Sequence, residues 1–244
     1  MAISVDTVYQ RVLALANKEQ RGYITPQEFN LLANAAQMAI FESYFYTKNQ
    51  RERAEPDRTN EVTETDISEL MDAKLAPFQS FEAVTSGHTF PATVTVDGTA
   101  YDVFQTGTVF LGDEPCQKVS MFDAQRLLKS SRHMATTDGQ SPIYTNNRVS
   151  GRDIVVYAGS TQEETSNVTV ECFRVPVTAN WAYVVVNDKA LYNSTLAVDF
   201  ELHKSETDTL VNRILHLAGI VLNKVGLSQT AATMFASEGQ TQNT

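Results

Sequence analysis

The chain has 244 residues, of which 42% are hydrophobic and 9% aromatic, and its 19 basic and 29 acidic residues give a formal net charge of −10. A chain of this length and composition can bury a substantial core, and no stretch approaches the ~20 apolar residues that span a bilayer, so we expect a globular protein without membrane association. The acidic balance argues against a groove that grips nucleic acid by neutralising phosphates, although it does not argue against a surface that nucleic acid passes without adhering.

The first residues, MAISVDTVYQRVL, lack the basic segment and continuous apolar run of a secretion signal, so we expect the protein to fold in the cytoplasm where it is made. Cys116 and Cys172 are too few and too far apart for a disulfide framework or a cysteine metal site, and both are predicted to be reduced packing residues. The glycosylation-like sites at Asn167 and Asn193 are expected to be incidental, because they matter only in a secreted protein.

A first helix is predicted at the start of the chain. Apolar residues from Val5 to Ala16 recur at helical spacing. Ser4 or Asp6 stands in position to cap a helix of about three turns.

A second helix has a sharper start at Thr25-Pro26-Gln27-Glu28. This is a capping box, in which the Thr25 hydroxyl accepts from the amide of Glu28 while the Glu28 carboxylate reaches back. Apolar residues continue at three-and-four spacing to about Tyr46. We expect an antiparallel helical hairpin, followed over residues 47–62 by an exposed connection or a frayed helix end.

The chain then changes from helical to mostly β character. Asp66 to Glu69 offers a cap for a short helix that should stop before Pro77. Alternating runs on both sides of Asp97-Gly98 predict a β-hairpin, because a type I′ turn needs positive φ at both central positions. A further helix is expected near Phe122–Leu128. Strands are predicted at Ile143–Tyr144, Asp153–Tyr157, Val168–Val175 and Val198–Leu202.

The last predicted helix begins at Ser205, which can cap it, and Glu206 and Asp208 place two acids at the positive end of its dipole. Its apolar stripe consists of Leu210, Val211, Ile214, Leu215, Ala218, Val221 and Leu222. After Gly226 the composition turns polar, and we expect a tail that is disordered or a short helix unless a partner holds it.

These elements predict an α+β fold, in which an N-terminal helical hairpin and a C-terminal helix pack around a mostly antiparallel β-sheet core of about five or six strands. We divide the chain into an N-terminal helical region (1–76), a β-rich core (77–204), a C-terminal helix (205–226) and a polar tail (227–244). The first three parts are expected to form one integrated domain.

Residues that carry chemistry are scattered. Asn17 to Glu28 resembles a calcium-binding EF-hand loop, but Arg21 places a cation where the ion needs an oxygen, and the capping box already explains Glu28. No nucleophile elbow, phosphate-binding loop or dinucleotide-binding motif is present. The histidines lack metal-site spacing: His88, His133, His203 and His216. We therefore assign no catalytic, cofactor-binding or metal-binding residue and expect a structural subunit rather than an enzyme.

Three blocks of the sequence together carry a resemblance to a known family. They are GYITPQEFNLLANAAQMAIFESYF near the N-terminus, VECFRVPVTANWAYVV, which contains Trp181, and YNSTLAVDFELHKSETDTLVNRILHLAGIVL toward the C-terminus. In their order and spacing these blocks resemble the head-to-tail connector, or neck ring, structural proteins of tailed bacteriophages of the marine and crAss-like type.

The resemblance implies a virion protein that forms a homo-oligomeric ring of about twelve copies in the phage neck. Its partners would be the portal protein and adjacent neck or tail proteins, and DNA would pass through the ring without specific binding. We expect the polar tail to dock on the portal or on a neighbouring ring through Leu227, Met234 and Phe235, because many equal contacts add up to firm attachment.

Two other functions are kept as alternatives. One is another virion component, such as a tail, fibre-adaptor or capsid-associated protein. The other is a β-rich carbohydrate-binding module with Trp181, Tyr183 and Tyr192 as a stacking platform, although residues of a core also alternate onto one strand face.

Overall fold

A computed structural model describes residues 2–18, 24–54, 69–84, 90, 92–96, 98–129, 142–147, 153–157, 163–164 and 167–221. The chain divides into two compact units, which we call the helical unit (from 1–77 and 176–244) and the sheet unit (78–175). The predicted β-rich range, 77–204, contributes to both. The predicted α+β fold is confirmed.

The described α-helices are α1 (Val5–Lys18), α2 (Pro26–Ala54), α3 (69–75), α4 (Met121–Lys129) and α5 (Thr207–Val221). Short 3₁₀ turns occupy Ala76–Phe78 and Lys204–Glu206. The strands are β1 (Gln79–Ala83), β2 (Thr93–Val96), β3 (Thr99–Leu111), β4 (Glu114–Pro115), β5 (Gln117–Lys118), β6 (Ile143–Asn147), β7 (Asp153–Tyr157), β8 (Glu163–Glu164), β9 (Val168–Arg174), β10 (Tyr183–Val186) and β11 (Lys189–Tyr192).

The predicted capping box at the start of α2 is confirmed. The N–H of Thr25 donates to Glu28 Oε2 at 2.9 Å, and the N–H of Glu28 donates to Thr25 Oγ1 at 3.3 Å. These bonds to Thr25 lower the pKa of Glu28, and they occupy the carboxylate that an EF-hand loop would turn toward calcium. The helix runs past its predicted end near Tyr46 because the polar residues that follow are good helix formers.

The helices of the helical unit share one apolar core. Helix α5 packs against both α1 and α2, while α1 and α2 meet through the rings of Tyr9 and Phe29, whose centroids are 4.8 Å apart. The described part of the predicted α5 stripe is buried: Leu210, Val211, Ile214, Leu215 and Ala218. Helical spacing therefore identified the packed face of α5 correctly.

The predicted cap of the last helix was wrong. His203 caps the preceding 3₁₀ turn, since its Nδ1 accepts the N–H of Ser205 at 3.3 Å, and the α-helix begins two residues after Ser205, at Thr207. Glu206 and Asp208 lie at the helix start as predicted, and the Glu206 carboxylate turns inward to a buried lysine.

That lysine is Lys74 on α3, whose Nζ lies 2.6 Å from Glu206 Oε1 with the two side chains only 4% and 8% exposed. Lys74 Nζ also lies 5.6 Å from the centre of the Tyr44 ring on α2. Burial, and then the charge of Glu206, raise the pKa of Tyr44 far above its ordinary value. The ion pair therefore ties α3 to the 3₁₀ turn that precedes α5, and it lies against α2.

Breaking this pair is expected to destabilise the fold strongly. Glu206→Ala leaves a buried ammonium without its partner and should lower the free energy of unfolding by about 3–5 kcal/mol, whereas Lys74→Met with Glu206→Leu should recover most of that loss. Urea denaturation measures both. Asp208→Ala is the control, because its carboxylate is 80% exposed and its ion pair with Arg11 contributes at most about 1 kcal/mol. Equal losses in Glu206→Ala and Asp208→Ala would contradict this assignment.

The sheet unit contains two described sheets that bury their apolar residues in one cluster. The first has the order β1-β9-β3-β2, with β4 also paired to β3, and the second has the order β5-β6-β7-β8. All pairs are antiparallel except β5 with β6. The predicted hairpin is confirmed, since Val96 pairs with Thr99 and Gly98 has φ of +80°.

Cys116 and Cys172 both lie in this buried cluster and are unpaired, as predicted. Burial raises the pKa of each thiol to about 11. Thiols of this kind pack as small apolar groups and react slowly at neutral pH.

The predicted strand at Val198–Leu202 was wrong. Only Val198 and Phe200 form β-bridges, to Asn180 and Ile3 respectively, and no ladder develops. The intervening acids bind backbone amides instead: Asp199 Oδ1 accepts the N–H of Val5 at 2.9 Å, and Glu201 Oε2 accepts that of Val177 at 2.8 Å. The pattern did not predict β1 or the β10–β11 hairpin.

Candidate functional site

The backbone of residues 177–181 is held by side-chain amides of α2. Asn34 accepts the N–H of Ala179 at 2.8 Å and donates to its C=O at 2.9 Å, and Asn30 bonds the N–H and C=O of Trp181 in the same way, at 2.8 and 3.3 Å. Gln37 donates to the C=O of Val177 at 2.7 Å. We call these three residues the amide clamp.

The clamp works because two different periodicities match. Four residues of an α-helix rise about 6 Å, and two residues of an extended strand rise about 6.6 Å, so Asn30 and Asn34 meet alternate residues of the segment. Each carboxamide offers one donor and one acceptor, as a residue of a neighbouring strand does. The segment therefore has its backbone groups satisfied without forming a sheet.

Trp181 anchors the same segment in the core. It is 2% exposed, its ring centroid lies 4.2 Å from that of Tyr9, and its Nε1 donates to Asp6 Oδ1 at 3.0 Å. The rings of Tyr183 and Tyr192 stack with it, each at 5.8 Å. Trp181 thus has no free ring face. It therefore cannot stack on a sugar as the carbohydrate-binding alternative required.

The carboxylates near Trp181 also act on Tyr192. Its partial burial, and then the charges of Asp199 and Asp6, raise the pKa of its hydroxyl. Asp199 simultaneously accepts the first amide of α1, where the helix dipole favours a negative charge. These contacts form a rigid base from which the chain leaves the core at residue 183.

From this base the chain forms a two-stranded hairpin, β10 and β11, which we call the β-arm (Tyr183–Tyr192). Asn187 and Asp188 both have positive φ, 49° and 59°, as a type I′ turn requires. Asn and Asp tolerate this conformation better than other side chains. The alternating segment YVVVNDKALY contains this turn signal, but no hairpin was predicted there.

The β-arm exposes apolar side chains. Cross-strand partners share a face, so Val184 and Leu191 lie on one face and Val185 on the other. Val184 is 51% exposed, Leu191 53% and Val185 62%, and Val186 next to the turn is also exposed. Tyr183 and Tyr192 join the face of Val185 and cover Trp181 at the base, where the arm contacts the core.

A two-stranded apolar hairpin is at best marginally stable in water by itself, and a contiguous exposed apolar surface usually marks a contact site. The aromatic stack at its base holds the β-arm in place. Its geometry suits a protein–protein contact better than a ligand pocket, because the exposed surface projects and is lined by aliphatic groups. The β-arm is therefore the candidate functional site.

Other residues singled out from the sequence do not gather into a site. The predicted docking residues Leu227, Met234 and Phe235 lie outside the described residues, as do His88 and His133. Within the described ranges, no group of three or more His, Cys, Asp or Glu side chains is placed to hold a metal ion.

A scan against protein-family models finds no match to this chain, and a search of curated proteins finds none either. Among the described helices, none combines the length and the apolar character needed to cross a membrane.

The clamp is expected to contribute measurably to stability. Asn34→Ala leaves the buried backbone groups of Ala179 without partners, which should lower the free energy of unfolding by about 1–3 kcal/mol. Gln27→Ala is the control, because Gln27 is exposed on the same helix. Urea denaturation compares the two variants, and a loss for Asn34→Ala no larger than that for Gln27→Ala would show that the clamp is dispensable.

Proposed function

We propose that this chain is a structural subunit of a tailed-phage virion that forms a ring in the neck, between the portal protein and the tail, and lets DNA pass. It acts by assembly and not by catalysis. The observation that carries the proposal is the exposed apolar β-arm on its aromatic base, because an exposed apolar surface of this kind usually marks a contact with another protein.

The three blocks that resemble neck ring proteins support this function by their position. The N-terminal block supplies Asn30 and Asn34 of α2, the middle block supplies Trp181 and β10, and the C-terminal block supplies Tyr192 and Asp199. All three meet at the base of the β-arm. Each block therefore contributes residues that build or orient the candidate interface.

The charge of the chain suits the same function. A ring through which DNA moves needs a lumen that does not adhere to phosphate, and a subunit with a net charge of −10 offers no general electrostatic attraction to it. The β-arm has only Asp188 and Lys189 as ionisable side chains apart from its tyrosines, so it is close to neutral. Copies of an acidic subunit can meet there with little repulsion.

The direct test is electron microscopy of the purified full-length chain, alone and mixed with the portal protein of the same phage. We expect rings with a central opening that cap the portal. Portal particles without added density, in a mixture where the chain stays folded, would overturn the neck assignment. Rings that form alone and never bind the portal would favour another virion component.

The β-arm is expected to be needed for assembly and not for folding. Val185→Asp adds a charge to the exposed apolar surface and should weaken self-association by about tenfold or more, with the melting temperature unchanged. Leu31→Asp is the control, since Leu31 is 74% exposed on α2 and the change of charge is the same. Analytical ultracentrifugation over a range of concentrations compares the two variants. Equal association of Val185→Asp and wild type would exclude the β-arm from the interface.

Deletion of residues 227–244 tests the predicted docking tail. The truncated chain is expected to fold and to form rings, because the clamp, the ion pair and the β-arm all lie before residue 222. It should no longer bind a neighbouring ring, since it lacks Leu227, Met234 and Phe235. Co-sedimentation with the portal measures this loss. A truncated chain that still assembles into infectious particles would contradict a docking role for the tail.

A further inference from the structure

Most edge strands of the described sheets carry a feature that prevents pairing with another chain. A charged side chain or a proline in an edge strand disfavours strand addition. Such residues are Glu82 in β1, Glu114 and Pro115 in β4, Lys118 in β5, Glu163 and Glu164 in β8, and Lys189 in β11. Among the edge strands of the described residues, β2 and β10 are without one: their sequences are Thr-Val-Thr-Val and Tyr-Val-Val-Val.

The hydrogen bonds of the β-arm show which backbone groups β10 leaves free. The N–H of Asn193 donates to the C=O of Ala182 at 2.9 Å, so this pair is a hydrogen-bonded pair of the ladder. Bonded and non-bonded pairs alternate along antiparallel strands, and Val184 and Val186 therefore bond to β11. The N–H and C=O groups of Tyr183 and Val185 point to the open side of β10.

The same reasoning applies to β2. The N–H of Val103 donates to the C=O of Ala92 at 3.1 Å, which makes Val94 and Val96 the residues that bond to β3. Thr93 and Thr95 then direct their backbone groups to the open edge of the sheet, and their side chains are exposed. Val94 faces the core and is buried, so the strand is firmly held while its edge is accessible.

We propose that β10 of one copy adds as a strand to the open edge of β2 in a second copy of this chain. Both strands have four residues, and each presents two residues whose backbone donors and acceptors find no partner within the part of the chain that the structure describes. We infer that the added strand comes from a second copy of this chain, because these are edges at which two like-charged copies can meet without repulsion. Two chains that each carry −10 repel wherever acidic surfaces meet, and these two edges contain no acidic or basic side chain. The inference rests on the proposed function only for the expectation that copies assemble with one another.

The contact joins two different surfaces, so it is heterologous. Each copy that uses its β10 still offers a free β2, and each that uses its β2 still offers a free β10. Such contacts propagate from copy to copy and form a ring when the rotation between copies closes, which is the assembly that a neck subunit needs. Pairing of β10 with β10 would instead stop at dimers.

Thiol cross-linking of the full-length chain tests the pairing. Val185→Cys combined with Thr95→Cys, treated with a short bis-maleimide, is expected to give a ladder of covalent multimers on a denaturing gel. Val185→Cys combined with Phe81→Cys is the matched control, because Phe81 is exposed on the edge strand β1, and it should give no ladder. Cys116 and Cys172 stay in place, since their buried thiols react slowly. A ladder from the control pair as strong as that from the test pair would overturn the proposal, and so would dimers alone from Val185→Cys.

Charge complementation gives a second test, with no cross-linker. Val185→Lys and Thr95→Lys are each expected to weaken association by about tenfold or more. Val185→Lys with Thr95→Glu in the same chain should restore it, because antiparallel pairing of the two edges makes these positions neighbours on one face of the joined sheet, where opposite charges attract. Val185→Glu with Thr95→Glu should not. Both positions are exposed, so unchanged circular dichroism and melting temperature verify folding. If the Lys–Glu variant associates no more strongly than the Glu–Glu variant, the proposed pairing of β10 with β2 is overturned.

The failure of this inference differs from failure of the proposed function. Rings that cap the portal but give no ladder from the Val185 and Thr95 pair would overturn strand pairing and leave the neck function intact. Covalent ladders and complementation in a protein that never binds the portal would support strand pairing and count against the neck function.

Discussion

The amide clamp of Asn30, Asn34 and Gln37 bonds an extended backbone segment to helix α2 where a neighbouring β-strand would usually bond it. The rest of the helical unit depends on this arrangement. A buried extended segment must have its N–H and C=O groups bonded, and a sheet partner is the usual solution. Here two carboxamides on one side of α2 supply both donors and acceptors to residues 179 and 181. The chain is then free to leave the core directly after Trp181 as a separate hairpin, with no sheet to extend.

Charge is distributed so that the acidic chain remains compact and still offers neutral surfaces. Glu206 is buried against Lys74, Asp199 lies at the start of α1, and Asp6 bonds the indole of Trp181. Each of these carboxylates has a donor or a cation that compensates its charge. The β-arm and the edge of β2 carry almost no charge, and they are the surfaces on which association between like-charged copies costs least.

Short sequence motifs correctly predicted the elements that are stabilised by contacts between residues close together in the sequence. The capping box at Thr25–Glu28, the hairpin at Asp97-Gly98 and the stripe of α5 were all confirmed, because neighbours within a few residues set each of them. Errors arose where distant groups intervene. The acids at 199 and 201 bond to amides far along the chain in place of supporting a strand. The pairing of Glu206 with Lys74, which are distant in sequence, was not predicted.

The sequence by itself determined the α+β class, the starts of the first two helices and the acidic character, since these follow from periodicity, capping residues and composition. It also indicated a structural role through three blocks whose spatial relation was unknown. Only the tertiary structure decided that Trp181 is a buried anchor and that Tyr183–Tyr192 is an exposed arm. Alternating apolar residues look the same in a core strand and in an interface strand, because exposure depends on what the rest of the chain places against them.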